Sequence, residues 1–388
     1  MSVVAQEAAS TASTASTASA ASVDSLQKKY DGLQEELRAL AIETQRIGVE
    51  YVNAKTGDQA YLLADQYEEK IVEGNEVADR WMVVGEQLYY AKLDAKVQSG
   101  DSDKIDDDLT LFVTKIMNKY YDKGQYGKAY EMCDKLFKDN PENKYAEIFL
   151  ARSGMLTNHF GTRISDLLLA NQEFFIEEET VTDTEKILRQ TLFYLNEVFK
   201  EELKLREQEA KADDLPRVEF ETNLGNFTIE LFENEAPNTV ANFISLTEAK
   251  HFDDLLFHTV IHQTAAETGK FEDGFIPRQI GYTIPDEHDK PEHRKIFAGS
   301  VAMYRDRPNS ADSRFFVALA PLPNLNGTQT VFGRVIEGMD TVYRLNKTYK
   351  IEEEEQIKIV DAVADRVISA KVLRKRDHEY LPKKVAPK

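Results

Sequence analysis

The chain has 388 residues, of which 42% are hydrophobic and 30% charged, a balance typical of a soluble globular protein with several domains. No apolar run reaches the roughly 18 residues that a membrane span needs, so none is predicted. The formal net charge of −20 excludes a general nucleic-acid binder, because phosphate binding requires a basic face. We therefore expect a soluble protein, either cytoplasmic or exported after removal of a signal.

Residues 1–22 carry an Ala/Ser/Thr repeat that lacks large apolar side chains. Such a segment cannot bury a core and is predicted to be disordered. Val3-Val4-Ala5 can be interpreted as the remnant of a removed signal peptide. The single cysteine, Cys133, excludes an internal disulfide, and no Cys/His cluster has the spacing of metal ligands, so no metal site is predicted.

Residues 23–56 are predicted to form a long helix, because apolar residues recur with alternating steps of four and three. This pattern comprises Leu26, Tyr30, Leu33, Leu37, Leu40, Ile47 and Tyr51, with Thr44 interrupting it. One interpretation is a coiled coil that joins two copies of the chain through the 26–51 helix. The other is a helix that packs on the next part of the same chain. The short pattern favours the second interpretation.

Residues 57–206 are predicted to be helical, since they contain a single proline and no strand-like alternation. One stretch is similar to a tetratricopeptide repeat in Tyr120, Gly124, Tyr126, Ala129, Leu136 and Pro141. A partial match lies upstream in Trp81, Val84, Gly85 and Leu88. Stacked repeats would present a concave face to a peptide or protein partner, whereas an irregular bundle would have no groove. The charged residues 207–216 are predicted to form a linker.

Residues 217–375 change to a strand-like period. Apolar and polar residues alternate over 218–232, which indicates a β-hairpin around Asn223-Leu224-Gly225. A helix is predicted next, with Pro237 in its first turn, and several short strands follow. This pattern predicts a closed antiparallel barrel. Residues 376–388 form a basic tail, for which we expect a solvated terminus.

Five motifs follow one another in this second half. They are "GNFTIELFENEAPNTVANFISL", "FHTVI", "GYTIPDE", "GSVAMYRDRPNSADSRFFVAL" and "LNGTQTVFGRVIEGMD". In order and spacing they resemble the motifs of the cyclophilin family. The predicted fold class is therefore multidomain, with an α-helical repeat or bundle before a cyclophilin-like closed antiparallel β-barrel with capping helices. The resemblance implies an eight-stranded barrel, a peptide groove, prolyl cis-trans isomerase activity on proline-containing peptide or protein clients, and no cofactor.

Rotation about an amide bond faces a barrier of about 18–20 kcal/mol, which arises from resonance between nitrogen and carbonyl. An isomerase needs an apolar pocket for the proline ring and a donor that favours the twisted amide. In cyclophilins an arginine after a Phe-His pair is understood to be that donor. Here the position is Thr259, whose neutral hydroxyl cannot replace a guanidinium.

Other groove positions implied by the resemblance are partly retained. The proline-pocket position is Phe316, and its neighbour Leu325 and the groove residue Met303 are also retained. The changed groove positions are Glu267, Arg314, Thr264, Ala265, Tyr304, Arg305, Asn324 and Gln329. Barrel residues thus persist while most groove residues differ. This contrast indicates a sound fold with weakened isomerase activity.

The opposite charges of Glu267 and Arg314 suggest an ion pair across the groove floor. On one hypothesis Arg314, held by Glu267, supplies the missing guanidinium. On the alternative the pair only fills an inactive groove. The second function to weigh is therefore a non-catalytic, chaperone-like scaffold that binds proteins through the helical domain and the altered barrel.

Overall fold

The computed structural model describes residues 23–99, 105, 107–160, 183–270, 278–289, 293–351, 357–359 and 362–385. The segment predicted to be disordered over 1–22 lies outside these residues. The chain divides into two compact units. The first comprises Met1–Tyr120 and Glu131–Glu147, and the second comprises Tyr121–Tyr130 and Ile148–Lys388. The second unit therefore includes helical residues that the sequence assigned to the N-terminal half.

Long helices form most of the first unit. Helix α1 spans Val23–Val52 and α2 spans Gly57–Ser99. Leu26, Leu40 and Ile47 of the heptad pattern are buried, and the ring of Tyr30 lies 5.4 Å from that of Trp81 on α2. The chain's own next helix therefore covers this pattern, in agreement with the intramolecular interpretation.

The tetratricopeptide-like stretch forms a helix pair. Helix α3 spans Asp107–Asp122 and α4 spans Tyr126–Asp139, with Gly124 at a φ of 73° between them. The partial match around Trp81 lies inside α2, a single helix of 43 residues without a turn. The described residues thus give one helix pair of this pattern, and a stack of repeats stays a prediction. Helix α5, Lys144–Leu156, follows.

Helix α6 spans Asp183–Ala212 and belongs to the second unit. The linker predicted over 207–216 therefore begins later than expected. Two charged residues of α6 are withdrawn from solvent, since Glu202 is buried and the Glu209 side chain is 9% exposed. Both pair with Arg294, which precedes the fifth strand of the sheet. These ion pairs attach α6 to the sheet.

The sheet contains ten strands among the described residues. They are β1 Arg217–Thr222, β2 Gly225–Leu231, β3 Thr259–Ile261, β4 Ala265–Thr268, β5 Ser300–Met303, β6 Phe315–Ala318, β7 Val331–Glu337, β8 Tyr349–Ile351, β9 Ile357–Ile359 and β10 Val367–Arg374. Their order is β10-β1-β2-β7-β5-β6-β4-β3-β8-β9. Backbone hydrogen bonds from residues 254–257 to 365–367 bring β10 back beside the segment before β3. The β8–β9 hairpin extends from this curled sheet, whose other eight strands form the predicted barrel.

Two helices and an aromatic core complete the barrel. Helix α7 spans Pro237–Glu248 and α8 spans Met339–Arg344. The carboxylate of Glu287 accepts hydrogen bonds from the backbone N–H groups of Asn238 and Thr239, so it satisfies donors that the first turn of α7 leaves open. Inside, stacked rings of Phe220 and Phe227 lie 5.1 Å apart. Alternate residues of β1, β2, β5 and β6 supply this interior.

The described part of the basic tail is packed on the barrel. Tyr380 is 6% exposed, and its hydroxyl donates to Glu233 at 2.9 Å. Val385 and Thr283 exchange backbone hydrogen bonds of 2.7 and 2.9 Å. Tyr380 and Val385 thus attach this segment to the barrel, while Leu381, Lys383 and Lys384 between them are exposed, as expected of a solvated terminus.

Candidate active site

The register of the sheet brings the main site positions into one line. Thr259 on β3 pairs with Glu267 on β4, Glu267 pairs with Phe316 on β6, and Phe316 pairs with Ala302 on β5. Directly paired residues point to the same face of a sheet. Since neighbouring strands lie about 4.8 Å apart, the backbones of Thr259 and Phe316 are roughly 10 Å apart. We call this line of four residues the groove row.

Phe316 forms the apolar end of the groove row. It is 6% exposed and belongs to a buried cluster with Phe232, Ala302 and Val331. Leu325, in a short helical turn over Pro323–Leu325, is half-buried and packs on the same cluster. The two residues predicted to hold a proline ring therefore meet in one apolar patch.

Glu267 occupies the middle of the groove row without contacting Arg314 as an ion pair. Its Oε1 lies 3.2 Å from Nε2 of His258, whose side chain is 3% exposed. The ion pair predicted between Glu267 and Arg314 is therefore wrong. The carboxylate of Glu267 instead lies next to the buried side chain of His258, which immediately precedes β3.

Arg314 instead pairs with Asp312, only two residues away. Nη2 lies 3.0 Å from Asp312 Oδ2, and Nε donates to both carboxylate oxygens at 3.2 and 3.1 Å. The guanidinium carbon lies 4.6 Å from the ring centroid of Tyr304. Burial alone would lower the pKa of Arg314, but the hydrogen bond and charge of Asp312, with the charge of Glu267, raise it. The side chain therefore stays cationic.

The other predicted groove residues occupy different surroundings. Met303 pairs with Phe315 and lies in the barrel interior, on the opposite face from Phe316. Arg305 is held by Asp286 at 3.0 Å and by the carbonyl oxygen of Thr328. Asn324 is exposed, and Gln329 is half-buried with an Oε1 that has no hydrogen-bond partner within the described part of the chain. Thr264 and Ala265, by contrast, lie at the start of β4, and Ala265 packs on the Phe316 cluster.

Sequence reasoning missed three residues of this site. Ala302, the partner of Phe316, carried no signal beyond its place in a strand. His258 and Asp312 were not among the predicted site residues. The sequence Asp312-Ser313-Arg314 did contain a signal, since opposite charges two residues apart at a strand start can meet.

Neither a candidate metal cluster nor a helix fit to cross a membrane occurs in the described ranges. No group of three or more His, Cys, Asp or Glu side chains in them could hold a metal ion. No helix there combines the length and apolarity that a membrane crossing requires.

The curled barrel and its groove row define a cyclophilin-type domain, and the chain belongs to the cyclophilin-type peptidyl-prolyl cis-trans isomerase family. Residues 217–364 match the family described as cyclophilin type peptidyl-prolyl cis-trans isomerase/CLD. Peptidyl-prolyl cis-trans isomerase CYP18-2 of Arabidopsis thaliana is 34% identical over 39% of this chain and 94% of that protein. Peptidyl-prolyl cis-trans isomerase ppi1 of Schizosaccharomyces pombe is also 34% identical, over 39% of this chain and 99% of that protein.

Among solved structures, a cyclophilin-type peptidyl-prolyl cis-trans isomerase of Cryptosporidium parvum is 24% identical, with a TM-score of 0.33. It covers 42% of this chain and 99% of its own. These similarities all concern well under half of the chain.

Proposed function

We propose that the barrel binds proline-containing segments of client proteins at Phe316 and catalyses their cis-trans isomerisation slowly. The apolar patch formed by Phe316 and Leu325 on the groove row carries this proposal, because a proline ring needs an apolar surface beside a polar edge. Family membership supports the reaction class. Clients would be cytoplasmic proteins or, after removal of a signal, exported ones.

The proposal of a low isomerisation rate rests on Thr259. Its hydroxyl lies in the groove row, two strands from Phe316, where the resemblance implies a guanidinium. A hydroxyl is short and neutral, so it cannot place positive charge on the proline nitrogen as the amide twists. A preorganised charged donor lowers such a barrier by about 3 kcal/mol, and the residue at position 259 does not supply that contribution.

Restoring the guanidinium tests the proposal. We expect Thr259→Arg to raise the isomerisation rate of a proline peptide by about 10²-fold, as measured by NMR exchange spectroscopy. Thr259→Lys is the matched control: it adds the charge without the planar fork, and a smaller gain is expected. Peptide-induced chemical-shift changes at Phe316 measure binding separately. A wild-type protein that neither binds the peptide nor accelerates its exchange would refute the proposal.

A second candidate is a non-catalytic scaffold with chaperone-like holding of clients. The pairing of Arg314 with Asp312 favours it, because Asp312 already engages Nε and Nη2 of this guanidinium. The helix pair α3–α4 would then supply a surface for a protein partner. A dimer through the 26–51 helix is the weaker extension, since Leu26, Leu40 and Ile47 are already buried. Client binding by wild type with an uncatalysed rate, unchanged in Thr259→Arg, would select this candidate.

A further inference from the structure

The side chain of Arg314 leaves the sheet on the face that carries the proline-pocket residue Phe316. Arg314 immediately precedes β6 and stands two residues before Phe316, so both side chains leave the strand on the same face. The ladder continues to this residue, since the Tyr304 N–H donates to the Arg314 carbonyl oxygen at 3.0 Å. The charge of Glu267, directly opposite Phe316, also acts on Arg314. These observations place the cation beside the groove row.

Three contacts restrict the orientation of this side chain. The Asp312 carboxylate accepts hydrogen bonds from both the backbone N–H of Arg314, at 2.8 Å, and its Nε. The ring of Tyr304 lies against the guanidinium carbon. On the remaining side is Gly269, where an added Cβ would lie 2.6 Å from Cγ of Arg314. The aliphatic stem therefore rests directly on the backbone of the neighbouring strand, and few rotamers remain.

Asp312 leaves the Nη1 edge of the guanidinium unengaged. Asp312 engages Nε and Nη2, whereas no atom in the described ranges accepts a hydrogen bond from Nη1. The side chain is 17% exposed, so a ligand in the groove can reach it. A charged N–H in a partly buried position gives a stronger hydrogen bond than a solvated one.

We propose that Arg314 is the residue that donates to the proline nitrogen in this protein, and that Asp312 is its positioning residue. This proposal rests on the proposed function, and it attributes the slow isomerisation to Arg314. No bond is made or broken: as the X–Pro amide twists, its nitrogen lone pair localises and accepts a hydrogen bond from Nη1. Asp312 holds the guanidinium through Nε and Nη2, which leaves Nη1 for the amide nitrogen. Thr259 takes no part in the step.

Kinetics of variants of the full chain test this assignment on a proline peptide. Arg314→Gln is expected to lower kcat toward the uncatalysed rate, a loss of up to about 10²-fold, with KM little changed. Arg314→Lys should lose nearly as much, because the ammonium lacks the fork that Asp312 holds. Asp312→Asn, which keeps an acceptor of the same shape, should lower kcat several-fold and leave KM and the melting temperature nearly unchanged.

A matched control variant and the comparison of kcat with KM separate the outcomes. Arg307→Gln removes an exposed cation from the same loop and should leave kcat unchanged. If Arg314→Gln isomerises the peptide at the wild-type rate, Arg314 is not the donor, while the proposed function stands as long as wild type binds and catalyses. Equal effects of Asp312→Asn on kcat and KM, or none on either, would overturn the positioning role. An uncatalysed wild-type rate would overturn both proposals.

Discussion

The substitution Arg294→Met tests whether buried charge holds α6 on the barrel. The side chain of Arg294 is only 1% exposed and lies between three carboxylates. Nη2 is 3.1 Å from Glu202, and Nη1 is 2.6 Å from Glu209 and 3.3 Å from Glu235. Its guanidinium carbon also lies 3.8 Å from the ring centroid of Phe232. Methionine fills a similar volume but carries no positive charge, so these carboxylates lose one of their cationic partners.

The expected loss follows from the partners that remain. Breaking a buried charge network by removing one member costs about 3–5 kcal/mol, because the opposite charges stay buried. Glu202 keeps Arg206 at 2.8 Å, and Glu209 keeps Arg334 at 2.7 Å, so we expect the lower end, about 3 kcal/mol. For a unit of this size that corresponds to a fall in melting temperature of roughly 6–12 °C.

Differential scanning calorimetry and urea unfolding measure this loss. Lys204→Met is the matched control on the same helix: its side chain is 65% exposed and pairs with Glu201 at 2.8 Å, so less than about 1 kcal/mol is expected. If Arg294→Met lay within about 1 kcal/mol of wild type, the network would not stabilise the contact between α6 and the barrel.

Two further predictions concern the barrel. Gly338→Ala should cost about 2 kcal/mol or more, because φ is 78° and an added Cβ would overlap backbone atoms of β2. Gly127→Ala, with open space around its Cα, should change stability by less than about 1 kcal/mol in the same urea titration. Burial, with the charge of Arg278, lowers the pKa of His251 to about 4 from 6.5. The unfolded chain therefore binds a proton that the native state does not, and stability should fall as pH drops from 6.5 to 4. Urea midpoints measured across that range should show this dependence of stability on pH, and His251→Gln should weaken it. An unchanged pH dependence in the variant would mean that His251 is not the group responsible.

The barrel and its pocket were predictable because their signals are local and repeated. The alternation over 218–232 and the residues around Phe316 each reflect one strand with a buried face. The partner of Arg314 was not predictable from charge alone. The sequence analysis paired Arg314 with Glu267, but the structure pairs it with Asp312, which is two residues away and also binds the backbone N–H of Arg314. Closing so short a loop costs little entropy.

The contact between α6 and the sheet, by contrast, could not be predicted from the sequence. Glu202 and Glu209 stand seven residues apart and so share a helix face, a signal that was present in the charged stretch. Their partners Arg294 and Arg334 are distant in sequence, and each lies among many other charges. A charge run that is solvated in most proteins therefore becomes a buried contact here. Only the folded sheet, which places both arginines near Phe232, distinguishes the two cases.

The same ring of Phe232 belongs to the cluster of Phe316, which connects α6 to the proline pocket. A segment cut at 216–376 would retain Arg294 and Arg334 but lose Glu202 and Glu209. We expect it to keep only the contacts of Arg294 with Glu235 and of Arg334 with Glu230 from this network, to unfold more easily than segment 183–385, and to isomerise proline peptides more slowly per folded molecule. Urea unfolding and NMR exchange on both segments measure this. Equal stability and equal rates would mean that the pocket is independent of the helix, since the barrel alone would then hold Phe232 in place.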